Sequence, residues 1–524
     1  MTRAAAVVPV HHYLAAAAKR RPDAVAVIGE RRLTYAELDA SSNAFARALW
    51  RHHAERGDRI ALWLPKSSAS VIAAYGALKA GCAYVPLDPE QPGTRAAAIL
   101  GDAEPTVLVT DAAHLGQLSA RGLPDSLVVI VLVDAEGPAL AKIPVVPLEA
   151  FTRGPAEPLA DAAEPDDLAI LLYTSGSTGV PKGVRITFRN LHPFVSWAIR
   201  EMDLREHDVF ANHAGLHFDL STFDLFAAAA VGAAVWLVTE SEARAPDALA
   251  SGLARHGVTI WYSVPSILCL LLAAGGLDEA PARALRYVLF AGEVFPIKQL
   301  RELRARLPEA ALYNLYGPTE TNVCTYHRVD ARAMARESPV PIGRPLDALE
   351  AWIVDERGEP CGDGEIGELI IRGPCVTPGY WRRTGYAAEA DHQREVHPTG
   401  DLVSIEAGEY VYRGRKDRMV KLNGFRVELG EIEAALLQHE GIAEAAVITA
   451  RAADVTRLVA FYAPPSAHAG LSLLQMKAHC RDRLPRYMIP HALTRLERLP
   501  RNANGKVDLV RLAELAAAPR PVSE

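Results

Sequence analysis

The sequence predicts a layered α/β protein with a large first domain over 1–416 and a small α+β domain over 417–524. Three observations carry this. Helical and strand-type segments alternate through the first 400 residues, short Gly-bounded strands replace them from Leu346, and a fresh strand–helix series begins after "GRKD" (414–417). Alternation of this kind is the pattern of largely parallel sheets covered by helices. A chain of 524 residues also exceeds what one core normally holds.

Taken in order, "MTRAAAVVPVHHYLAAAAKRRPD" reads as an opening strand and an amphipathic helix. It is not a secretory signal, because Pro9, His11 and His12 break the apolar run and Lys19-Arg20-Arg21 stands where a small-residue cleavage site belongs. "TYAELDASSNAFARALW" has helical spacing, "DRIALWL" is a strand, "SASVIAAYGALKAG" a helix and "CAYVPLDP" a strand entering a Pro-bounded loop. "AAVWLV", "VTIWYSV" and "RYVLFAG" are buried-strand candidates. "AWIVD", "GELIIRG" and "GEYVYRGR" form the strand-rich subdomain. Beyond it come a strand pair and helix in "MVKLNGFRVELGEIEAALLQH", strands in "EAAVITA" and "RLVAFYA", a Pro/Ser/Gly loop (464–472), a last helix and the tail.

Bulk composition excludes several classes. A net charge of −7 argues against nucleic acid or an anionic membrane as the main partner. Six scattered cysteines without a C-x-x-C pair suit reduced thiols, not a disulfide framework or a zinc site. The longest apolar stretch, Phe226 to Val238, is too short to span a bilayer. A soluble, cytoplasmic protein is expected.

The stretch "YTSGSTGVPKG" (173–183) packs three glycines and four aliphatic hydroxyls between two ordered segments. Glycine permits close backbone approach, and successive N–H groups and hydroxyls make an anion-binding concavity, so polyphosphate is the expected ligand. The loop is not the standard nucleotide loop, since Lys182 follows Pro181 and precedes Gly183, with no hydroxyl after it.

Further segments follow in order: "LKAGCAYVPLDP" (78–89), "NLYGPTE" (314–320), "GELIIRG" and "GYW" (367–381), "TGD" (399–401), "GRKDRMVKLNGFRVELGEIE" (414–433), "LPRYMIP" (484–490) and "NGKVD" (504–508). With 173–183, this series resembles the adenylate-forming superfamily, in particular the amino-acid adenylation enzymes of nonribosomal peptide synthesis. The resemblance runs from "LTYAEL" (33–38) to Asp508. It implies a small β-barrel within the large domain and a mobile C-terminal domain with its hinge at Asp417. The implied cofactors are ATP and Mg²⁺.

By resemblance, Thr174, Ser175, Gly176, Ser177, Thr178, Gly179 and Lys182 grip the β- and γ-phosphates that leave as pyrophosphate. Tyr316 stacks on adenine, with Asn314, Gly317 and the backbone of Gly292, Glu293 and Val294 around it. Thr319 reaches the α-phosphate and Glu320 ligates Mg²⁺, a hard cation that prefers oxygen. Asp401 takes the ribose hydroxyls, assisted by Arg415. Lys506 bridges carboxylate, ribose and α-phosphate; with Lys182 and Thr319 it completes the catalytic set. The second half-reaction is attack by a phosphopantetheine thiol to give a thioester.

The resemblance also implies that Asp219, in "HFDLSTFDLF" (217–226), pairs with a substrate ammonium. A buried carboxylate needs such a partner. The pocket positions carried over are Asp219, Leu220, Phe223, Tyr262, Leu289, Ala291, Leu315, Val323 and Cys324, with Lys506 closing the set. Apart from Asp219 and Lys506 none is ionised at neutral pH, so a compact apolar amino acid fits. This pocket is similar to that of stand-alone L-prolyl-AMP ligases, which load L-proline onto a separate peptidyl carrier protein on the way to pyrrole groups. Polarity alone does not separate proline from alanine, D-alanine, valine or pipecolate, and a methylene is worth only about 1–3 kcal/mol in discrimination. Sixteen residues follow Asp508, too few for a carrier domain, so a carrier met in trans is expected.

Two rivals share the sequence features. An acyl-CoA or aryl-acid ligase of the same fold has no use for Asp219. A non-catalytic nucleotide sensor has no need of Lys182, Glu320, Asp401 and Lys506 together. The chain departs from the family pattern at "GPCVTPGYW" (373–381) and at Asn423, where arginine is common.

Overall fold

The computed structural model describes residues 7–134, 140, 142–160, 163–176, 180–277, 284–452, 455–466, 470–501 and 507–517. The chain divides into two compact units. The first comprises Met1–Pro89, Leu100–Tyr173 and Gly183–Lys416, and the second Glu90–Ile99, Thr174–Lys182 and Asp417–Glu524.

Two large sheets build the first unit. One has nine strands in the order Arg344–Pro345, Thr325–Arg328, Ala311–Tyr316, Tyr287–Phe290, Ile260–Ser263, Val209–Asn212, Ala234–Leu237, Val25–Ile28 and Arg32–Thr34. Its interior pairings are parallel and its two margins antiparallel. The other has seven, in the order Val145–Pro147, Val129–Leu132, Val107–Thr110, Arg59–Trp63, Ala83–Pro86, Leu168–Thr174 and Lys182–Thr187. Their interior parallel strands read as continuous apolar runs, as strands buried on both faces do. Strands such as Val107–Thr110, Val129–Leu132 and Ile260–Ser263 are buried throughout.

Local chemistry sets the helix starts. Thr34 caps the helix Tyr35–Arg51 in a reciprocal box with Glu37, and Ser67 caps Ser68–Lys79 with Ser70. The apolar stretch from Phe226 does not continue as one element. The helix Leu220–Val231 stops at Gly232, left-handed at φ 80°, before the strand Ala234–Leu237.

The strand-rich subdomain is an antiparallel sheet in the linear order Glu350–Val354, Gly367–Arg372, Val396–Glu406 and Glu409–Arg415. No closed barrel is present among the described residues.

In the second unit, the strands Met419–Leu422 and Phe425–Glu428 form a hairpin with Leu422 opposite Phe425. The two turn residues, Asn423 and Gly424, have φ of 50° and 82°. Asparagine-glycine is the favoured pair where both residues must be left-handed, which accounts for Asn423. The helix Leu429–Leu437 and a three-stranded sheet complete a core around Val427, Ile432, Leu458 and Met476.

Two readings are corrected at the termini. The expected opening strand is absent from residues 7–10, because Pro9 supplies no N–H and Val10 already has helical angles ahead of His11–Arg20. A further helix, Leu509–Ala517, follows the one expected at Leu473–Arg481, burying Leu512. No helix of the described residues is long and apolar enough to cross a membrane.

Candidate active site

Parallel sheets place ligand sites at the C-terminal ends of their strands. In the nine-stranded sheet this end gathers the predicted amino-acid pocket. Tyr262 lies opposite Leu289, and Leu289 opposite Tyr313, so Tyr262, Leu289 and Leu315 share one face. Phe223 meets the Tyr262 ring edge-on at 5.7 Å, and Phe194 packs against both. Phe223, Tyr262, Leu289, Ala291, Leu315, Val323 and Cys324 are all buried in one core, with Leu220 packed against it. Half-buried Asp219 precedes this helix at its N-terminus without capping it. Burial pushes the Tyr262 hydroxyl well above its ordinary range, and the Asp219 and Asp224 carboxylates add to that. The result is an apolar wall beside the Asp219 carboxylate, with Asp224, raised well above the usual carboxylate range by burial, held by the Asn212 amide.

Beyond the strand Ala311–Tyr316 lies the predicted nucleotide end. Gly317 has no room for a side chain, since a Cβ would stand 1.7 Å from the Asn322 carbonyl oxygen. The Asn314 amide donates to the Pro341 carbonyl at 2.7 Å, which orients its own oxygen as an acceptor. Buried Tyr316 donates its hydroxyl to Asp401 at 2.5 Å, and Arg415 donates to the other Asp401 oxygen at 2.6 Å. Asp401 and Arg415 face each other across an antiparallel hairpin, so the fold fixes this pair. A carboxylate has about four acceptor sites, and these two bonds leave capacity for a diol. Burial first, then Asp401, holds the Tyr316 hydroxyl protonated far above neutral pH. Gly292 is left-handed at φ 88°, Glu293 accepts from the Ser266 amide, and Val294 is exposed.

Glu320 is 1% exposed, and its carboxylate accepts the Tyr380 hydroxyl at 2.7 Å. Half-buried Thr319 precedes it. A carboxylate oriented by a hydroxyl donor is an oxygen ligand of the kind a hard cation such as Mg²⁺ prefers. Among the described residues no cluster of three or more His, Cys, Asp or Glu forms a metal site by itself. Phosphate oxygens and water would have to supply the remaining ligands.

The described part of the Gly/Ser loop belongs to the second unit. Gly176 is as constrained as Gly317, since a Cβ would meet the Val180 carbonyl oxygen at 2.1 Å. Ser175 donates its hydroxyl to the Arg426 carbonyl at 2.7 Å, and the buried Thr174 hydroxyl has no hydrogen-bond partner in the structure. An orphaned hydroxyl in a glycine-rich turn fits a phosphate ligand. Glu431, raised by burial against the opposing pull of Arg95, also accepts from the Gly176 amide. Asp417 accepts from the Met419 amide. Ser177, Thr178, Gly179 and Lys506 lie outside the described residues.

The AMP-binding enzyme model matches residues 14–381, and its C-terminal domain model matches 431–506. This chain belongs to the AMP-binding enzyme family. Two full-length relatives of this AMP-binding enzyme carry the same name, L-proline–[L-prolyl-carrier protein] ligase. The Streptomyces coelicolor protein is 52% identical over 504 residues, covering 95% of this chain and 94% of its own. The Pseudomonas fluorescens protein is 40% identical over 506 residues, covering 96% and 98%. In fold, the chain is similar to the Vibrio cholerae adenylation domain AlmE, crystallised with glycyl-adenosine-5′-phosphate. That match has a TM-score of 0.81 at 24% identity and covers 99% of this chain and 100% of that one.

Sequence reasoning missed the partners that orient the predicted residues of this AMP-binding enzyme. Tyr380 was visible in the "GYW" motif, but its bond to Glu320, 60 residues away, had no sequence signal. The Asn314–Pro341 contact is equally silent.

Proposed function

We propose that this enzyme activates L-proline with ATP to prolyl-AMP, releasing pyrophosphate. It then passes the prolyl group to the phosphopantetheine thiol of a separate carrier protein. The observation that carries this reading is the Asp219 carboxylate, set beside the buried wall of Phe223, Tyr262, Leu289 and Leu315. That pairing suits the secondary ammonium and the compact ring of proline. The two relatives named as proline ligases support it.

In the first half-reaction a proline carboxylate oxygen attacks the α-phosphorus of ATP, and the bond to the pyrophosphate oxygen breaks. Asp219 holds the ammonium so that the carboxylate is presented for in-line attack. Tyr316 and Asn314 seat the adenine, while Asp401 and Arg415 hold the ribose. Thr174, Ser175, Gly176, Ser177, Thr178, Gly179 and Lys182 receive the leaving pyrophosphate, and Thr319 and Lys506 meet the charge growing on the α-phosphate. Mg²⁺, held by Glu320, would supply charge neutralisation at the phosphates. In the second half-reaction the thiol sulfur attacks the prolyl carbonyl and AMP leaves. Asp417 is the proposed hinge about which the C-terminal segment moves between the two steps.

The ribose assignment has a direct test. Asp401→Asn removes the charge that both Tyr316 and Arg415 address, so KM for ATP should rise by about 10- to 100-fold. KM for proline should move by no more than about twofold. Steady-state exchange kinetics read both values.

The transfer step is tested with radiolabelled L-proline, ATP and a phosphopantetheinylated carrier. Label should appear on the holo-carrier and be released by hydroxylamine, as a thioester is. Label on coenzyme A but never on a carrier would move the enzyme to the acyl-CoA ligase class.

A further inference from the structure

Lys66 is a buried charge that the machinery above does not use. It sits in the turn between the strand Arg59–Trp63 and the helix Ser68–Lys79, and it is 8% exposed. Its Nζ donates to three consecutive carbonyls: Asn212 at 2.6 Å, His213 at 3.0 Å and Ala214 at 3.1 Å. Those residues are the end of the strand Val209–Asn212 and the start of the loop that leads to Asp219. All three protons of the ammonium are thereby used.

The rest of that loop is tied at its far end. Phe218 donates its amide to Gly215, Ser221 donates its hydroxyl to the Phe218 carbonyl, and Thr222 donates its hydroxyl to the Asp219 carbonyl. Asn212 is also held sideways, its amide donating to Asp224 at 3.0 Å. Three carbonyls turned toward one buried point would repel each other without a cation between them. The near end of the loop therefore depends on Lys66.

We propose that Lys66 is a positioning residue for the amino-acid site, fixing residues 212–214 so that the following turn delivers Asp219 to the substrate ammonium. This rests on the assignment of Asp219 made above. Lys66 touches no reacting atom and acts through the loop.

Burial lowers the Lys66 pKa to about 8, against the opposing influence of Glu240, Asp224 and Glu242. The other titratable groups facing the site are His213, lowered to about 3 by burial and then by Lys66, and His217, also lowered by burial. Both stay neutral at pH 8. Deprotonation of Lys66 leaves two donors for three carbonyls, so the loop anchor weakens as pH rises through about 8. Arginine keeps its charge across this range.

The test compares Lys66→Met, Lys66→Arg and Asp219→Asn with Lys79→Met in proline-dependent pyrophosphate exchange. Lys79 is a half-buried lysine of the same unit that bonds Asp39, Ser42 and Asn43, and it serves as a purely structural comparator. Lys66→Met should raise KM for L-proline about tenfold or more with KM for ATP unchanged, and Lys66→Arg should restore most of it. Lys79→Met should lower thermal stability without changing the ratio of the two constants. Equal shifts in both constants for Lys66→Met, or none, would overturn the inference. The folded wild-type enzyme gives an independent reading should the Met variant not fold. Its KM for proline should climb between about pH 7 and 9.5, and Lys66→Arg should flatten that climb. Superimposable profiles would equally overturn it. If Asp219→Asn leaves proline use intact, the assignment beneath the inference fails; if it abolishes use while the Lys66 arms stay flat, only the inference fails.

Discussion

Lys506→Ala should lower proline-dependent pyrophosphate exchange by about 10²–10³-fold. A fixed ammonium at the α-phosphate acts on charge that grows only as the in-line transition state forms, so the loss should fall on kcat. KM for ATP should change less than kcat, because the other proposed adenine and ribose partners, Asn314, Tyr316, Asp401 and Arg415, stay in place. A second readout separates this role from general damage. Supplied with preformed prolyl-AMP, the variant should still load a holo-carrier, since thiol attack on the carbonyl builds no charge on phosphorus. Loss of both half-reactions together would contradict the assignment.

Asp219→Asn should cost about 10²–10³-fold in kcat/KM for L-proline, because it leaves a desolvated ammonium without its counter-charge. ATP binding should stay at the wild-type level. Tetrahydrofuran-2-carboxylate, which replaces the ring nitrogen with oxygen, gives the sharper reading. Wild type should reject it strongly, and the variant should discriminate far less between the two acids. A variant that keeps its preference for proline would show that another group holds the amine.

The elements that carry these residues were legible because each has a local signature. The parallel strands stand out as apolar runs bounded by glycine or proline, and Thr34 with Glu37 marks a helix start four residues long. Gly176 and Gly317 mark backbone crowding that any side chain would break. Asp401 and Arg415 were expected together at the ribose from two separate motifs, and their hairpin register pairs them directly. Lys66 was not legible. Between Pro65 and Ser67 it reads as a solvated turn cation, and its three partners lie 146 to 148 residues further on. Tyr380 failed for the same reason. Such contacts are made by tertiary packing, and neither periodicity nor composition reports on that. The terminal helix Leu509–Ala517 was overlooked because its alanines read as compositional bias, although Leu512 is buried against the sheet.

The most direct measurement is amino-acid-dependent ATP–pyrophosphate exchange across the proteinogenic set, with D-alanine, D-proline and pipecolate added. Exchange that depends on L-proline, with every other acid far below it, is the expected result. Stronger exchange with a different aliphatic amino acid would keep the chemistry but contradict the pocket. Silence with every acid, from folded protein that binds ATP, would contradict amino-acid activation itself.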